Sequence, residues 1–148
     1  MIEFIGVSKS YNAGTVILEN IDLSVERGEL VILIGPSGCG KSTLLRLVNR
    51  MIAPSSGQIL IGGKDSALLD PVELRRGIGY VIQSIGLFPH MTIFENVEVV
   101  PSILGTAKLE RRARAEALLH TVGLEPSVYG SRYPRALSGG QQQRPEIA

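Results

Sequence analysis

Gly35-Pro36-Ser37-Gly38-Cys39-Gly40-Lys41-Ser42-Thr43 places three glycines, one lysine and three hydroxyls within nine residues. Glycines at this spacing let the backbone take φ > 0 and gather successive N–H groups around phosphate oxygens. A helix beginning at Lys41 adds its unpaired N–H groups and the positive end of its dipole. Lys41 supplies a point charge for the β/γ-phosphates, and the Ser42 hydroxyl can ligate Mg²⁺. Gly-x4-Gly-Lys-Ser is the P-loop pattern. Cys39 has no base partner in it and reads as a small loop residue rather than a nucleophile. By itself the loop leaves GTPases, kinases, helicases and transport ATPases open.

A second glycine cluster, Leu137-Ser138-Gly139-Gly140-Gln141, reads as a helix start. Ser138 can N-cap, and Gln141 three residues on completes an S-x-x-Q capping box. Two glycines in a first turn cost helix propensity and leave bare N–H groups open to an anion.

The elements that must position these loops follow from periodicity. Ile2 to Val7 alternates weakly as a strand, and Ile17 to Val25 alternates with Ile17, Ile21, Leu23 and Val25 inward. Leu30 to Ile34 is a continuous aliphatic run, suited to a strand buried on both faces of a parallel sheet. Leu44, Leu45, Leu47, Val48 and Met51 recur at helical spacing until Pro54-Ser55-Ser56-Gly57. Gln58 to Ile61 and Ile78 to Gln83 are further strands, with a short helix around Pro71 to Arg76. Thr92-Ile93-Phe94-Glu95 is a T-x-x-E capping box, Pro101 should kink or end its helix, and Lys108 to Val122 is a second helix closed by Gly123. Arg111, Arg112 and Arg114 read as a solvated helix face, and His90 and His120 lack metal-ligand spacing. A Pro, Gly and Ser-rich loop from Glu125 to Ala136 leads to the second glycine cluster. Pro145, seventh after an N-cap at Ser138, should fray that last helix at a cost of about 3 kcal/mol.

Composition narrows the classes. The 148 residues carry 15 Lys+Arg against 14 Asp+Glu, which argues against a general polyanion binder. With 44% apolar and 20% charged residues the chain can build a core. Its longest aliphatic run, five residues, is far short of the roughly 20 needed to span a bilayer. The N-terminus lacks signal-peptide character, and one cysteine suits a reducing compartment. Seventeen glycines are a surplus, five of them in the two clusters.

LSGGQ following a GPSGCGKST P-loop resembles the ATP-binding-cassette (ABC) ATPases. The resemblance implies an α/β P-loop NTPase fold, the ABC cassette. It would have an N-terminal β subdomain, a partial RecA-like core and a helical subdomain, without the C-terminal Walker B part. Residues 1–83 would be the β subdomain and P-loop core, 84–136 the Q-loop and helical subdomain, and 137–148 the signature with a broken helix. Gly35, Pro36, Ser37, Gly38, Cys39, Gly40, Lys41, Ser42 and Thr43 would bind ATP, and Tyr11 would stack on adenine. Gln83 would be the Q-loop glutamine, near Mg²⁺ and the attacking water, with Ser42 the other Mg²⁺ ligand. Leu137, Ser138, Gly139, Gly140 and Gln141 would be the signature, acting in trans on the ATP of a second cassette in a homodimer. Permease subunits would dock on the helical subdomain, where Gly86-Leu87-Phe88-Pro89 is either an apolar docking patch or ordinary subdomain core. A periplasmic or extracellular substrate-binding protein would be an indirect partner, and no nucleic acid is expected. The location implied is cytoplasmic, peripheral on the inner face of the membrane.

Leu69-Asp70-Pro71-Val72-Glu73-Leu74-Arg75-Arg76, Ile78-Gly79-Tyr80-Val81-Ile82-Gln83 and Gly86 to Ile93 resemble the ATPases of osmoprotectant importers, for glycine betaine, proline betaine, choline or carnitine. The family's Walker B Asp-Glu and switch histidine do not fall within these 148 residues, so the chain alone is expected to be inactive. The alternatives are a non-catalytic remnant with weak or no nucleotide binding and a soluble ABC ATPase acting on nucleic acid.

Overall fold

A computed structural model describes residues 1–11, 14–82 and 86–147. It divides into two compact units, Met1–Gly79 and Tyr80–Ala148.

The first unit is built on an antiparallel sheet. β1 (Ile2–Tyr11) pairs with β2 (Thr15–Val25) in the register Ile2↔Val25, Phe4↔Leu23, Val7↔Ile21 and Lys9↔Leu18. β3 (Ser56–Ile61) takes the other edge of β1, and the two-residue β4 (Lys64–Asp65) follows, giving the order β2-β1-β3-β4. Both long strands are irregular between Phe4 and Lys9, where Gly6 (φ 56) and Asn20 (φ 46) turn left-handed. Side chains satisfy the released donors: Gly6 N–H donates to Asp22 Oδ1 at 2.7 Å and Asn20 N–H to Ser8 Oγ at 2.9 Å. The irregularity shifts the alternation by one. Leu18, outside the expected inward set, is therefore buried, while Ile17, Ile21 and Leu23 are half-buried against the same core.

α1 (Lys41–Val48) packs Leu44 and Leu47 against Phe4, Val7, Leu18 and Ile59. Eight residues make no stable isolated helix; burial of the two leucines, about 1.5–3 kcal/mol each, holds it. It stops earlier than the spacing of Met51 suggests, because Arg50 turns to φ 51. α2 (Pro71–Arg76) has Asp70 as N-cap, accepting from Val72 N–H and Glu73 N–H at 2.9 Å, and Pro71 in the first turn.

Two expected strands are corrected. Leu30 to Ile34 forms no strand, and Leu30, Ile32 and Ile34 are 85%, 72% and 91% exposed; Leu33 alone touches the core. A strand needs a hydrogen-bonding neighbour on at least one edge, and no described residue pairs with this run. Ile78 to Ile82 likewise forms no strand among the described residues, and Gln83 lies outside them.

The second unit is helical: α3 (Ile93–Ile103), α4 (Lys108–Thr121), α5 (Pro126–Tyr129) and α6 (Gly139–Ile147) surround Ile93, Phe94, Ala115, Leu119, Leu124 and Leu137. The capping box of α3 is complete: Thr92 N–H donates to Glu95 Oε2 at 2.7 Å and Glu95 N–H to Thr92 Oγ1 at 3.3 Å. Pro101 lies in the last turn, and the helix runs two residues past it. α6 does not fray at Pro145. The proline is buried, and Arg144 Nη1 donates to Gly123 O at 3.2 Å, tying the helix to the end of α4. The α4 arginines are not all solvated: Arg111 and Arg112 both reach the buried Glu98 of α3.

Candidate functional site

The P-loop is shaped by its glycines and its lysine. Gly38 (φ 83) and Gly40 (φ 94) are left-handed. A Cβ on Gly40 would stand 2.7 Å from Leu18 Cδ2 and 3.1 Å from Ile17 O, so only glycine lets the loop lie on β2. Gly40 is also the N-cap of α1. It offers no side-chain hydrogen bond, and no acidic residue stands in the first turn. The leading N–H groups of α1 thus meet no capping carboxylate, which makes an anion cradle. Lys41 Nζ donates to Gly35 O and Pro36 O at 2.8 Å each and lies 3.5 Å from Cys39 Sγ. The ammonium is thereby held over the turn. Ser37, Cys39 and Ser42 are exposed, Thr43 half-buried.

The far end of α1 is anchored by α2. Arg75 Nε donates to Asn49 O at 3.0 Å and Nη2 to Arg50 O at 2.7 Å, so one guanidinium takes two carbonyls just past the helix. Arg50 in turn donates to Leu69 O. The pattern D-P-x-x-L-R-R placed α2 correctly, but nothing in it pointed to this clamp. Tyr11 ends β1, 40% exposed, with Lys9 Nζ 5.2 Å from its ring centroid. That ammonium is held by Ala53 O at 2.7 Å.

In the second unit the signature opens α6. Leu137 is in the core. The capping box is formed in one direction: Gln141 Oε1 accepts from Ser138 N–H at 3.0 Å, and Gln141 Nε2 donates to the Tyr129 hydroxyl at 3.1 Å. A Cβ on Gly139 or Gly140 would meet nothing within 4 Å, and neither φ is left-handed. Among the described residues, nothing in the packing therefore requires glycine at either position. In the segment before α3, Leu87 packs into the core while Phe88 is exposed. Asn96, which sequence reasoning passed over, pins that segment. Its Oδ1 accepts from Phe88 N–H at 2.7 Å and its Nδ2 donates to Thr92 O at 2.8 Å. Among the described residues no set of three or more His, Cys, Asp or Glu could hold a metal, and no helix is long and apolar enough to cross a membrane.

A glycine loop between an aliphatic run and a helix, with a lysine over its turn, defines a P-loop nucleotide-binding protein. Residues 18–148 match the family "ABC transporter", and the chain belongs to it. It is 51% identical over 144 residues to the choline transport ATP-binding protein OpuBA of Bacillus subtilis, covering 97% of this chain and 38% of that protein. The osmoprotectant import ATP-binding protein OsmV of Salmonella typhimurium is 55% identical over 127 residues, 86% of this chain and 33% of that protein. The Fe(3+) ions import ATP-binding protein FbpC of Brucella abortus is 49% identical over 147 residues, 99% of this chain and 40% of that protein. The dimeric structure of MJ0796, a bacterial ABC transporter cassette, superposes with a TM-score of 0.86 at 37% identity, over 99% of this chain and 67% of that one. The fold is thus that of the ABC cassette, and the chain spans about 38% of the length of curated relatives such as OpuBA.

Proposed function

We propose that this chain is the nucleotide-binding part of the ATP-binding subunit of an importer, with quaternary-amine osmoprotectants as the transported class. The observation that carries nucleotide binding is the uncapped N-terminus of α1, with the Lys41 ammonium beside it. ATP phosphates would take the N–H groups of residues 38–43 and draw Lys41 away from the two carbonyls. Tyr11 would offer its ring to adenine. An exposed hydroxyl in the first turn of α1 fits Mg²⁺, which accepts one or two protein oxygens and takes the rest from phosphate and water. Ser42 would hold it, with Gln83 as the second protein ligand. Bound Mg²⁺ would neutralise phosphate charge.

The signature would engage the nucleotide of a second copy. Glycines at 139 and 140 that no contact among the described residues requires support a close approach by a group from outside the chain. Residues 1–83, 84–136 and 137–148 would then serve as nucleotide core, permease-facing subdomain and signature. Closure on ATP and reopening after hydrolysis would drive permease subunits fed by a substrate-binding protein, with the chain on the cytoplasmic face. The osmoprotectant class is supported by OpuBA and OsmV, although an iron importer matches almost as well.

Lys41→Ala tests the core of this proposal. It should weaken Mg-ATP binding by the full-length protein at least tenfold and abolish ATP-driven uptake of betaine or choline. Unchanged ATP affinity would refute the P-loop assignment; iron uptake without betaine uptake would refute the substrate class. A second reading, in which the 148 residues alone bind nucleotide weakly and turn nothing over, is favoured by the exposure of Leu30, Ile32 and Ile34 beside the loop. ATPase activity of the isolated 148 residues above a Lys41→Ala control would exclude it.

A further inference from the structure

The glutamine of the signature is held at both ends of its amide. Its oxygen accepts from Ser138 N–H at 3.0 Å and its nitrogen donates to the Tyr129 hydroxyl at 3.1 Å. A primary amide has one accepting and one donating end, so these partners admit a single orientation. Turned over, the NH₂ would face the Ser138 N–H, donor against donor. Tyr129 is itself fixed in place. It packs against the second unit's core, and the Arg132 guanidinium lies 5.3 Å from its ring centroid. The backbone beside it accepts the first two N–H groups of α3, Ile93 to Arg132 O and Phe94 to Gly130 O, each at 2.9 Å. A firm support therefore stands behind one flexible side chain of the signature.

We propose that Tyr129 is a positioning residue for the signature loop. Its hydroxyl fixes the Gln141 amide, and that amide occupies the Ser138 N–H. The exposed Ser138 hydroxyl and the bare Gly139–Gly140 backbone are then left in one arrangement, ready for a nucleotide presented by a second copy. The role rests on the nucleotide reading above and adds a residue outside the five-residue signature to it. Nothing in the local sequence singles out Tyr129, because it sits nine residues before Ser138 on another helix.

The test uses the full-length protein with Tyr129→Phe, Gln141→Ala and the double variant. Tyr129→Phe removes one hydrogen bond and keeps the ring, so turnover should fall about three- to tenfold. KM for ATP should stay within about twofold of the unmutated protein, since the P-loop is untouched. Once Gln141 is alanine, Tyr129→Phe should have no further effect, a coupling that a general loss of stability would not produce. The Gln141 side-chain amide resonances should move toward those of a free, rapidly exchanging amide in Tyr129→Phe and stay put in a Tyr133→Phe control. Unchanged turnover and unchanged Gln141 resonances in Tyr129→Phe, or independent effects in the double variant, would overturn the role while leaving the nucleotide reading intact. Absence of ATP turnover in the unmutated full-length protein would overturn both.

Discussion

Glu98 sits 6% exposed on α3 with two cations of α4 against it. Arg111 Nε donates to Oε2 at 3.2 Å. Arg112 Nε is 2.7 Å from Oε1 but is not aligned for a hydrogen bond, so that contact is Coulombic. The Arg112 guanidinium also lies 3.8 Å from the centroid of the Phe94 ring. The two sides of this cluster are not energetically equivalent. Removing both cations by Arg111→Ala with Arg112→Ala strands a buried carboxylate, which costs about 3–5 kcal/mol. Arg112→Ala alone loses one charge contact and the ring contact, about 1.5–3 kcal/mol, because Arg111 still neutralises the carboxylate. Glu98→Leu removes the buried charge itself and lets both partly exposed arginines turn to water, so about 1 kcal/mol or less is expected. The double arginine variant should therefore lose about 3–5 kcal/mol and Glu98→Leu about 1 kcal/mol or less, read by urea unfolding of the full-length protein. A double arginine variant as stable as the unmutated protein, or a Glu98→Leu variant destabilised as much as the double arginine variant, would refute the buried-charge account.

Thr92→Ala should cost about 0.5–2 kcal/mol by urea unfolding, because it removes half of a complete capping box. The Thr92 N–H, then its hydroxyl, hold the Glu95 carboxyl below the usual glutamate range. Its contribution is therefore present above its unfolded-state pKa and lost as pH falls through the lower folded value. The stability gap between the unmutated protein and Glu95→Gln should close on acidification below the ordinary glutamate range, and a pH-independent gap contradicts this. Gly130→Ala would put a Cβ 2.0 Å from Phe94 Cε2 and should destabilise by about 1–3 kcal/mol or more, partly relieved by Phe94→Leu. Cys39 is exposed beside the Lys41 ammonium, so Mg-ATP should slow its alkylation several-fold; equal labelling with and without nucleotide would count against a phosphate at this loop.

Local chemistry was legible in the sequence where it is carried by short spacings. Asp70-Pro71, Thr92-x-x-Glu95 and Gly123 mark helix ends because each satisfies a backbone group within a few residues, and the helices end there. The glycine loop was legible for the same reason. What failed depends on distant partners. Leu30 to Ile34 has the composition of a buried strand, but a strand exists only when another lies beside it. Leu18 escaped the alternation because the irregularity at Gly6 and Asn20 shifts its register. Arg111 and Arg112 look solvated on a helical wheel until α3 brings Glu98 under them. Pro145 is a helix breaker by propensity, yet burial and the Arg144 tether outweigh that cost. For the candidate site, the place of the glycine loop before α1 could be read from short spacings, whereas Asn96, Arg75 and Tyr129 make contacts 4 to 26 residues away.

The clamp of Arg75 on the carbonyls after α1 has an effect at the opposite end of that helix. α1 spans about 12 Å at 1.5 Å per residue, and the guanidinium offsets its negative pole. With that pole quenched, the positive pole at the glycine loop stands unopposed, and the guanidinium adds a potential of its own there. At about 12 Å in water it favours a unit negative charge by roughly 0.3 kcal/mol before screening. The separation is close to one Debye length at 0.1 M salt, so α2 should contribute to anion affinity in dilute buffer and fade from it as ionic strength rises.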